Sequence, residues 1–354
     1  MLLSIIIPAY NSSKYIRKCL DSVLQQSFKD FEVIIIEDCS SDNTADIIRE
    51  YELSDSRIKA IYQKENKGNG IGRNTALDYA QGDYIWYVDS DDYIESDALT
   101  IVYNHIKKYH SDAYVLSYNN CTPKKNNIKV TNKVEPLIAG NEDNHTLMDY
   151  LLLDKKNIAV MPWCYIIKKN LLIENSIRFD ESGYYFEDVI FGTKLLYYSD
   201  KLTPIKEPLY NYIHHKGSIT KTWNKKTIES RIHAYNQMRD FLKEKNIFEE
   251  HKKQFTLKFV KNVFVLSVLG YVQMKERNKE IEDFLYTFSQ TPLIKNFSLK
   301  QLGLLTTEKN DKQEFRMNDK VIEKITQTIP KNFAFYLKYL RFICTLKRLA
   351  QPIS

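Results

Sequence analysis

No stretch of this chain approaches the ~20 consecutive apolar residues that a membrane-spanning helix requires, so a membrane span is not expected. The opening residues, Met1-Leu2-Leu3-Ser4-Ile5-Ile6-Ile7-Pro8, lack a basic leader and a small-residue cleavage site; they predict a first strand rather than a signal peptide. Cysteine is scarce. Cys19, Cys39, Cys121, Cys164 and Cys344 are odd in number, scattered and in no metal-ligand spacing, which excludes a disulfide framework and a zinc cluster. Free thiols fit a reducing compartment, and the expected location is the cytoplasm. There is no internal repeat, no zinc-finger spacing and no ribonucleoprotein motif, so nucleic acid is not an expected partner. No acidic residue follows Glu323.

What is present describes a folded chain. Its 354 residues, 43% hydrophobic and 27% charged, are enough to bury a large core and to form more than one unit. Tyrosine is abundant, at 25 residues. The net charge of +6 is unevenly spread, because residues 1–220 are acidic overall and residues 221–354 strongly basic. That asymmetry predicts chemistry in the first part and an anionic partner for the second. The boundary is placed near 220, giving a catalytic domain over 1–220 and a helical basic domain over 221–354.

Over the first hundred residues, strand and helix patterns alternate. Strands are predicted at Ser4–Pro8, Phe31–Glu37, Ile58–Gln63 and Tyr84–Val88. Helices are predicted at Ser12–Gln26, capped by Ser12 or Ser13, at Ala45–Tyr51, and at Ile71–Ala80 after a glycine-containing loop, Gly68 to Gly72. Such alternation gives a parallel sheet with helices on its faces, and ligands then sit beyond the carboxyl ends of the strands. The alternation loosens from about residue 96, so residues 1–95 and 96–220 are expected as two halves of the first domain. In the latter, Ala113–Ser117 and Leu209–Ile213 are expected as strands and Asn119–Asn144 as a polar excursion. A helix near Thr146–Leu153 and a loop entering a helix over Gly183–Tyr198 are also expected, with helices at Thr227–Lys245, His251–Lys275 and Lys279–Ser289 beyond.

The aromatic run Tyr84-Ile85-Trp86-Tyr87-Val88 ends in Asp89-Ser90-Asp91-Asp92. Carboxylates that close raise one another's pKa unless a cation lies between them. The residues alone allow either a hard divalent metal shared with phosphates or a solvated acidic turn. A dehydrogenase would carry Gly-x-Gly-x-x-Gly after the first strand, where Pro8-Ala9-Tyr10-Asn11 stands, and a nucleotidyltransferase would carry a Gly/Arg/Lys-rich loop there.

Five segments in order resemble inverting, nucleotide-sugar-dependent glycosyltransferases of the GT-A type, glycosyltransferase family 2. They are Ser4–Asn11, Glu37–Thr44, Asn66-Lys67-Gly68 through Arg73-Asn74, Asp89-Ser90-Asp91, and Phe186-Glu187-Asp188. The resemblance covers roughly residues 3–220. It implies an α/β fold, Rossmann-like, with a mostly parallel sheet and helices on both faces, followed here by a smaller helical C-terminal domain. It implies a UDP-sugar donor, with Tyr10 stacking on the base, Pro8, Ala9 and Asn11 beside it, and Asp38 accepting from the uracil N3–H. Arg73 would contact phosphate or the acidic edge. Asp91 would hold Mn²⁺ or Mg²⁺, Asp89 would bond ribose and reach the metal, with Ser90 between them, and Asp92 would cap the next element. Asp188 would be the base, kept ionised by a helix dipole, with Glu187 the second choice. His215 would be a metal or pyrophosphate ligand, with Lys216 and Ser218 as lesser contacts. Asp42 is expected only as a second turn cap.

The chain departs from the pattern in two places. Trp163-Cys164-Tyr165 stands where many relatives have Trp-Asn-Lys, which removes a cation on the acceptor side. The Gln-x-x-Arg-Trp of processive polymerases is absent, which predicts addition of one or a few sugars. The expected acceptor is a glycan or lipid-linked glycan of a bacterial surface polysaccharide, lipopolysaccharide or teichoic acid. The rival is a catalytically silent protein that binds nucleotide sugars. Over Lys331–Ala350, basic residues flank a broad aromatic face, which suits peripheral binding to an anionic membrane or packing into a core.

Overall fold

The structure, a computed structural model, describes residues 1–124, 127–215 and 224–267. The chain divides into two compact units, Met1–Lys221 and Thr222–Ser354. In the first unit the strands are β1 (Leu3–Ala9), β2 (Phe31–Glu37), β3 (Ile58–Tyr62), β4 (Tyr84–Tyr87), β5 (Tyr93–Ile94), β6 (Ala113–Lys124), β7 (Asn127–Val134), β8 (Tyr165–Lys168) and β9 (Leu202–Ile213). Its helices are α1 (Ile16–Leu24), α2 (Thr44–Ser54), α3 (Asn69–Tyr79), α4 (Ala98–Tyr109), α5 (Asn144–Leu152), α6 (Lys169–Glu174) and α7 (Asp188–Tyr198).

The strands form one sheet in the order β3-β2-β1-β4-β8-β6-β9-β5, with β7 paired to β6. β3, β2, β1 and β4 are parallel; β8 then runs antiparallel between β4 and β6, and β6 and β9 are parallel again. The C-terminal ends of β1, β2, β4 and β9 therefore share one edge of the sheet. β1 and β2 are buried at every position, as expected of strands covered on both faces, and each is centred on consecutive Ile or Val residues, Ile5–Ile7 and Val33–Ile36. Each such fully buried aliphatic side chain contributes roughly 1.5–3 kcal/mol. The polar residues inside this core are partnered: the Ser4 hydroxyl donates to Glu32 at 2.6 Å, and Gly82 N–H donates to the Ser4 oxygen at 2.8 Å.

Several elements differ from the sequence reading. Helix α1 begins at Ile16, and neither Ser12 nor Ser13 caps it; the Ser13 hydroxyl donates instead to Asp42. Helix α3 begins at Asn69, two residues before the expected start, so Gly70 lies within the helix rather than in the glycine-containing loop ahead of it. The stretch expected as a polar excursion is largely the β6–β7 hairpin, whose half-exposed strands carry no long apolar run. β9 starts at Leu202, seven residues before the expected strand, because two Pro and three charged or polar residues mask its first half.

In the second unit, α8 (Lys225–Glu244) is capped by the Asn224 side chain accepting from Thr227 N–H. α9 (Phe248–Phe259) continues into a π-helical turn, Val260–Val265. The predicted helices at Lys279–Ser289 and Lys331–Ala350 lie outside the described residues, as do Lys216 and Ser218. Among the described residues no helix is long and apolar enough to cross a membrane.

Candidate active site

The loop after β1 carries Pro8 and Ala9, both buried, and then Tyr10, which is 48% exposed. Asn11 turns the chain through φ 48°, a conformation that Asn tolerates better than most residues. Its side-chain oxygen accepts from Ser41 N–H at 2.8 Å, and its own N–H donates to Ser40 Oγ at 3.0 Å. Asp42 accepts from the amides and hydroxyls of Ser13 and Thr44. Burial alone would raise its pKa, but those bonds hold it below the usual carboxylate range. Asn11 and Asp42 thus tie the β1 and β2 loops together and leave Tyr10 presented at the edge. Asp38 is buried, and its two oxygens accept from Lys67 and Gly68 N–H, each at 2.8 Å. Two bonds leave a carboxylate with further acceptor capacity.

The carboxylates after β4 divide by their partners. Asp92 is buried; Oδ1 accepts from Ile213 N–H and Oδ2 from the Tyr210 hydroxyl, both at 2.7 Å. It therefore fastens the end of β9 rather than capping the next element. The Tyr210 oxygen also accepts from Asp89 N–H. Asp89 Oδ1 lies 2.8 Å from Arg73 Nη2, and Asp91 Oδ2 lies 2.6 Å from His215 Nε2. The His215 ring stacks on Tyr15 with centroids 5.2 Å apart. Ser90 is buried between the two carboxylates.

One oxygen from each of Asp89, Asp91 and Asp92 lies within 4.8 Å of the others. Burial and the neighbouring carboxylates raise the pKa of Asp92, and burial raises that of Asp89 against the opposing pull of Arg73. This crowded set of hard oxygens fits a divalent cation such as Mg²⁺ or Mn²⁺. Asp91 is the most exposed of the three, and Asp92 is already committed to β9.

Opposite stand Glu187, the residue preceding α7, and Asp188, its first residue. Phe186 enters this turn at φ 65°, an uncommon conformation for a bulky side chain. Glu187 Oε1 pairs with Arg73 Nη1 at 2.7 Å. The Asp188 pKa is raised to about 7, first by burial and then by Glu187, with Arg73 opposing. That places it above the ordinary carboxylate range although Asp188 begins a helix, whose dipole favours the ionised form. Arg73 is buried between Asp89 and Glu187, so of its two expected positions it takes the acidic edge rather than phosphate.

Sequence reasoning missed the residues that hold this arrangement. Tyr210 reaches Asp92 across 118 positions, and the Asn74 side chain bonds both backbone groups of Phe179 at 3.0 Å. Asn74 lies in the segment Asn66–Asn74, but spacing gives no sign of a partner 105 positions away. Trp163 stacks against Tyr210 at 4.6 Å and Tyr212 at 5.2 Å. Tyr165, standing where many relatives carry lysine, is fully buried, and its hydroxyl donates to the Ala159 carbonyl at 2.6 Å.

Carboxylates stand at the C-terminal edge of the sheet and face a second acidic pair across a buried arginine, the arrangement expected of a GT-A type glycosyltransferase. The model for glycosyl transferase family 2 matches residues 4–174. GlyA of Streptococcus pneumoniae, a glycosyltransferase, is 31% identical over 238 residues, covering 66% of this chain and 34% of that protein. EpsH of Bacillus subtilis is 30% identical over 254 residues, covering 71% of this chain and 72% of that protein. The crystal structure of Staphylococcus aureus TarS 1–349 has the same fold, with a TM-score of 0.61 at 24% identity, covering 86% of each chain. The chain belongs to glycosyltransferase family 2. It spans about a third of GlyA and about half of the longer TarS crystal structure.

Proposed function

We propose that this chain is a metal-dependent, inverting glycosyltransferase that moves a sugar from a UDP-sugar to a hydroxyl of a glycan or lipid-linked acceptor. Its product would be a bacterial surface polysaccharide, lipopolysaccharide or teichoic acid. The observation that carries the reading is that two sets of acidic groups are held apart in different surroundings. Asp89, Asp91 and Asp92 crowd their oxygens within 4.8 Å, while Asp188 stands apart with a pKa of about 7. TarS, whose fold this chain shares, has been solved with UDP-GlcNAc and with UDP, and its full-length relative is a poly(ribitol-phosphate) beta-N-acetylglucosaminyltransferase.

In this reading the exposed Tyr10 ring stacks on uracil, with Pro8, Ala9 and Asn11 shaping the loop, and Asp38 uses its remaining acceptor capacity on the base. Asp89 and Ser90 lie along the ribose. Asp91, with His215 and Asp89, holds Mg²⁺ or Mn²⁺, and when bound that cation neutralises the departing diphosphate. Lys216 and Ser218 are the further contacts proposed for the diphosphate. Asp188 takes the acceptor hydroxyl proton on the face of the sugar opposite the leaving group, as inversion requires. Glu187, held by Arg73, is the weaker candidate for base. The basic C-terminal region is proposed to meet an anionic membrane surface or acceptor on the cytoplasmic side.

Thermal-shift screening with Mn²⁺ across UDP-glucose, UDP-galactose, UDP-GlcNAc, UDP-GalNAc and UDP-glucuronic acid tests the donor. At least one should stabilise the protein and release UDP on turnover. Stabilisation with no turnover by any of them would favour the silent nucleotide-sugar-binding alternative.

The Asp188 pKa sets a pH dependence. A general base acts only when deprotonated, and burial has moved that transition up to about 7. The expected profile of kcat/KM therefore falls as pH drops through the neighbourhood of 7 and levels off above it. A profile flat from pH 5.5 to 8.5 would contradict the assignment.

A further inference from the structure

We propose that Arg73 is a positioning residue, its buried guanidinium joining the donor-side carboxylate Asp89 to the loop that presents the base, through Glu187. The inference rests on the transferase reading above and adds the device that aligns its two halves. Arg73 Nη2 meets Asp89 Oδ1 at 2.8 Å and Nη1 meets Glu187 Oε1 at 2.7 Å. These partners are 16 and 114 positions away in sequence, one after β4 and the other at the start of α7. The side chain of Arg73 is only 5% exposed, and its buried Nε has no hydrogen-bond partner among the described residues.

A buried cation with one donor left unpartnered is poor evidence for a stability role, because desolvation offsets much of what its ion pairs return. Geometry is what a guanidinium supplies well: a rigid planar fork that fixes two carboxylates at once. The surroundings hold that fork still. Its carbon lies 5.2 Å from the Phe179 ring centroid, and Phe179 stacks on Phe191 of α7 at 4.0 Å and meets Tyr87 of β4 edge-on at 5.1 Å.

Helix α3 is fitted to the base loop at two further points. Asn74 bonds both backbone groups of Phe179 and donates to Glu181 Oε1 at 2.8 Å. Gly70 lies so close that a Cβ there would sit 2.3 Å from the Asp180 carbonyl oxygen. Just ahead of α3, Lys67 and Gly68 N–H groups donate to Asp38 at the base-binding edge. One helix thus contacts the nucleotide edge before its first turn, and the acidic edge and base loop through Arg73. In this proposal Glu187 belongs to the device, and Asp188 remains the first candidate for the base.

The test is a double-mutant cycle of Arg73→Lys and Glu187→Gln in the full chain, with the UDP-sugar that the wild type turns over. Misplacement of a reacting group by about 1 Å costs about a hundredfold. Each single variant is expected to lower kcat about 10- to 100-fold, with the donor KM held within about twofold. The double variant should be no worse than the poorer single, because both remove one connection. Arg73→Lys leaves both carboxylates in place, so its loss cannot come from removing a base. Multiplying losses, a raised donor KM with kcat unchanged, or an Arg73→Lys enzyme with wild-type kcat would overturn the proposal. Should Arg73→Lys fail to fold, Glu187→Gln decides: wild-type turnover in that variant ends the proposal. No turnover by the wild type on any UDP-sugar ends the transferase reading, and the proposal with it.

Discussion

Asp188→Asn is expected to abolish sugar transfer while leaving UDP-sugar affinity nearly unchanged. A positioned general base contributes about 10²–10⁴-fold, and asparagine keeps the size and shape of the side chain but cannot accept the hydroxyl proton. The substitution removes no contact to the nucleotide edge, which is built from the β1 and β2 loops and the residues after β4. Asparagine also removes the like-charge repulsion from Glu187, so the fold should not suffer. Calorimetric titration with UDP should match the wild type, while UDP release falls to the uncatalysed level. Retained turnover would show that Asp188 is not the base, and Glu187 would return as the candidate.

Asp91→Asn is expected to have the second largest effect. Asp91 is the most exposed of the three crowded carboxylates, and His215 is its only hydrogen-bond partner identified among the described residues. In the proposed function it carries the cation that neutralises the leaving diphosphate, a contribution of several kcal/mol to the transition state. Losing about 3 kcal/mol corresponds to a rate about a hundredfold lower. The stabilisation of the protein by Mn²⁺ in thermal melts should disappear in the same variant. A variant that keeps both turnover and its response to Mn²⁺ would place the metal on other residues.

The parts of the fold legible in the sequence are those that physics marks locally. β1 and β2 each carry a core of consecutive Ile or Val residues without polar alternation, as strands buried on both faces do, and the bounds of β2 coincide with the run Phe31–Glu37. The chain gives no comparable mark for the β6–β7 hairpin, where Asn, Lys and Thr line strands that are half-exposed. The start of α1 was misplaced for a related reason: Ser12 and Ser13 have the chemistry of helix caps, but Asp42 competes for Ser13 from another loop.

The site divides along the same line. Asp89, Asp91 and Asp188 stand in short motifs and were visible as chemistry. Their partners come from far along the chain: His215 reaches Asp91 across 124 positions and Arg73 reaches Glu187 across 114. Asp188 shows both kinds of signal: its place at a helix start is a local fact that favours a low pKa, while its surroundings beside Glu187 are a tertiary fact that raises it.

The most direct test of inversion by a separate base needs no acceptor. Proton NMR of the wild-type enzyme with Mn²⁺ and its UDP-α-sugar, recorded faster than mutarotation, reads the anomer first released when water stands in for the acceptor. The account predicts the β-anomer first, with no release by Asp188→Asn. The α-anomer first, or equal release by that variant, would contradict it.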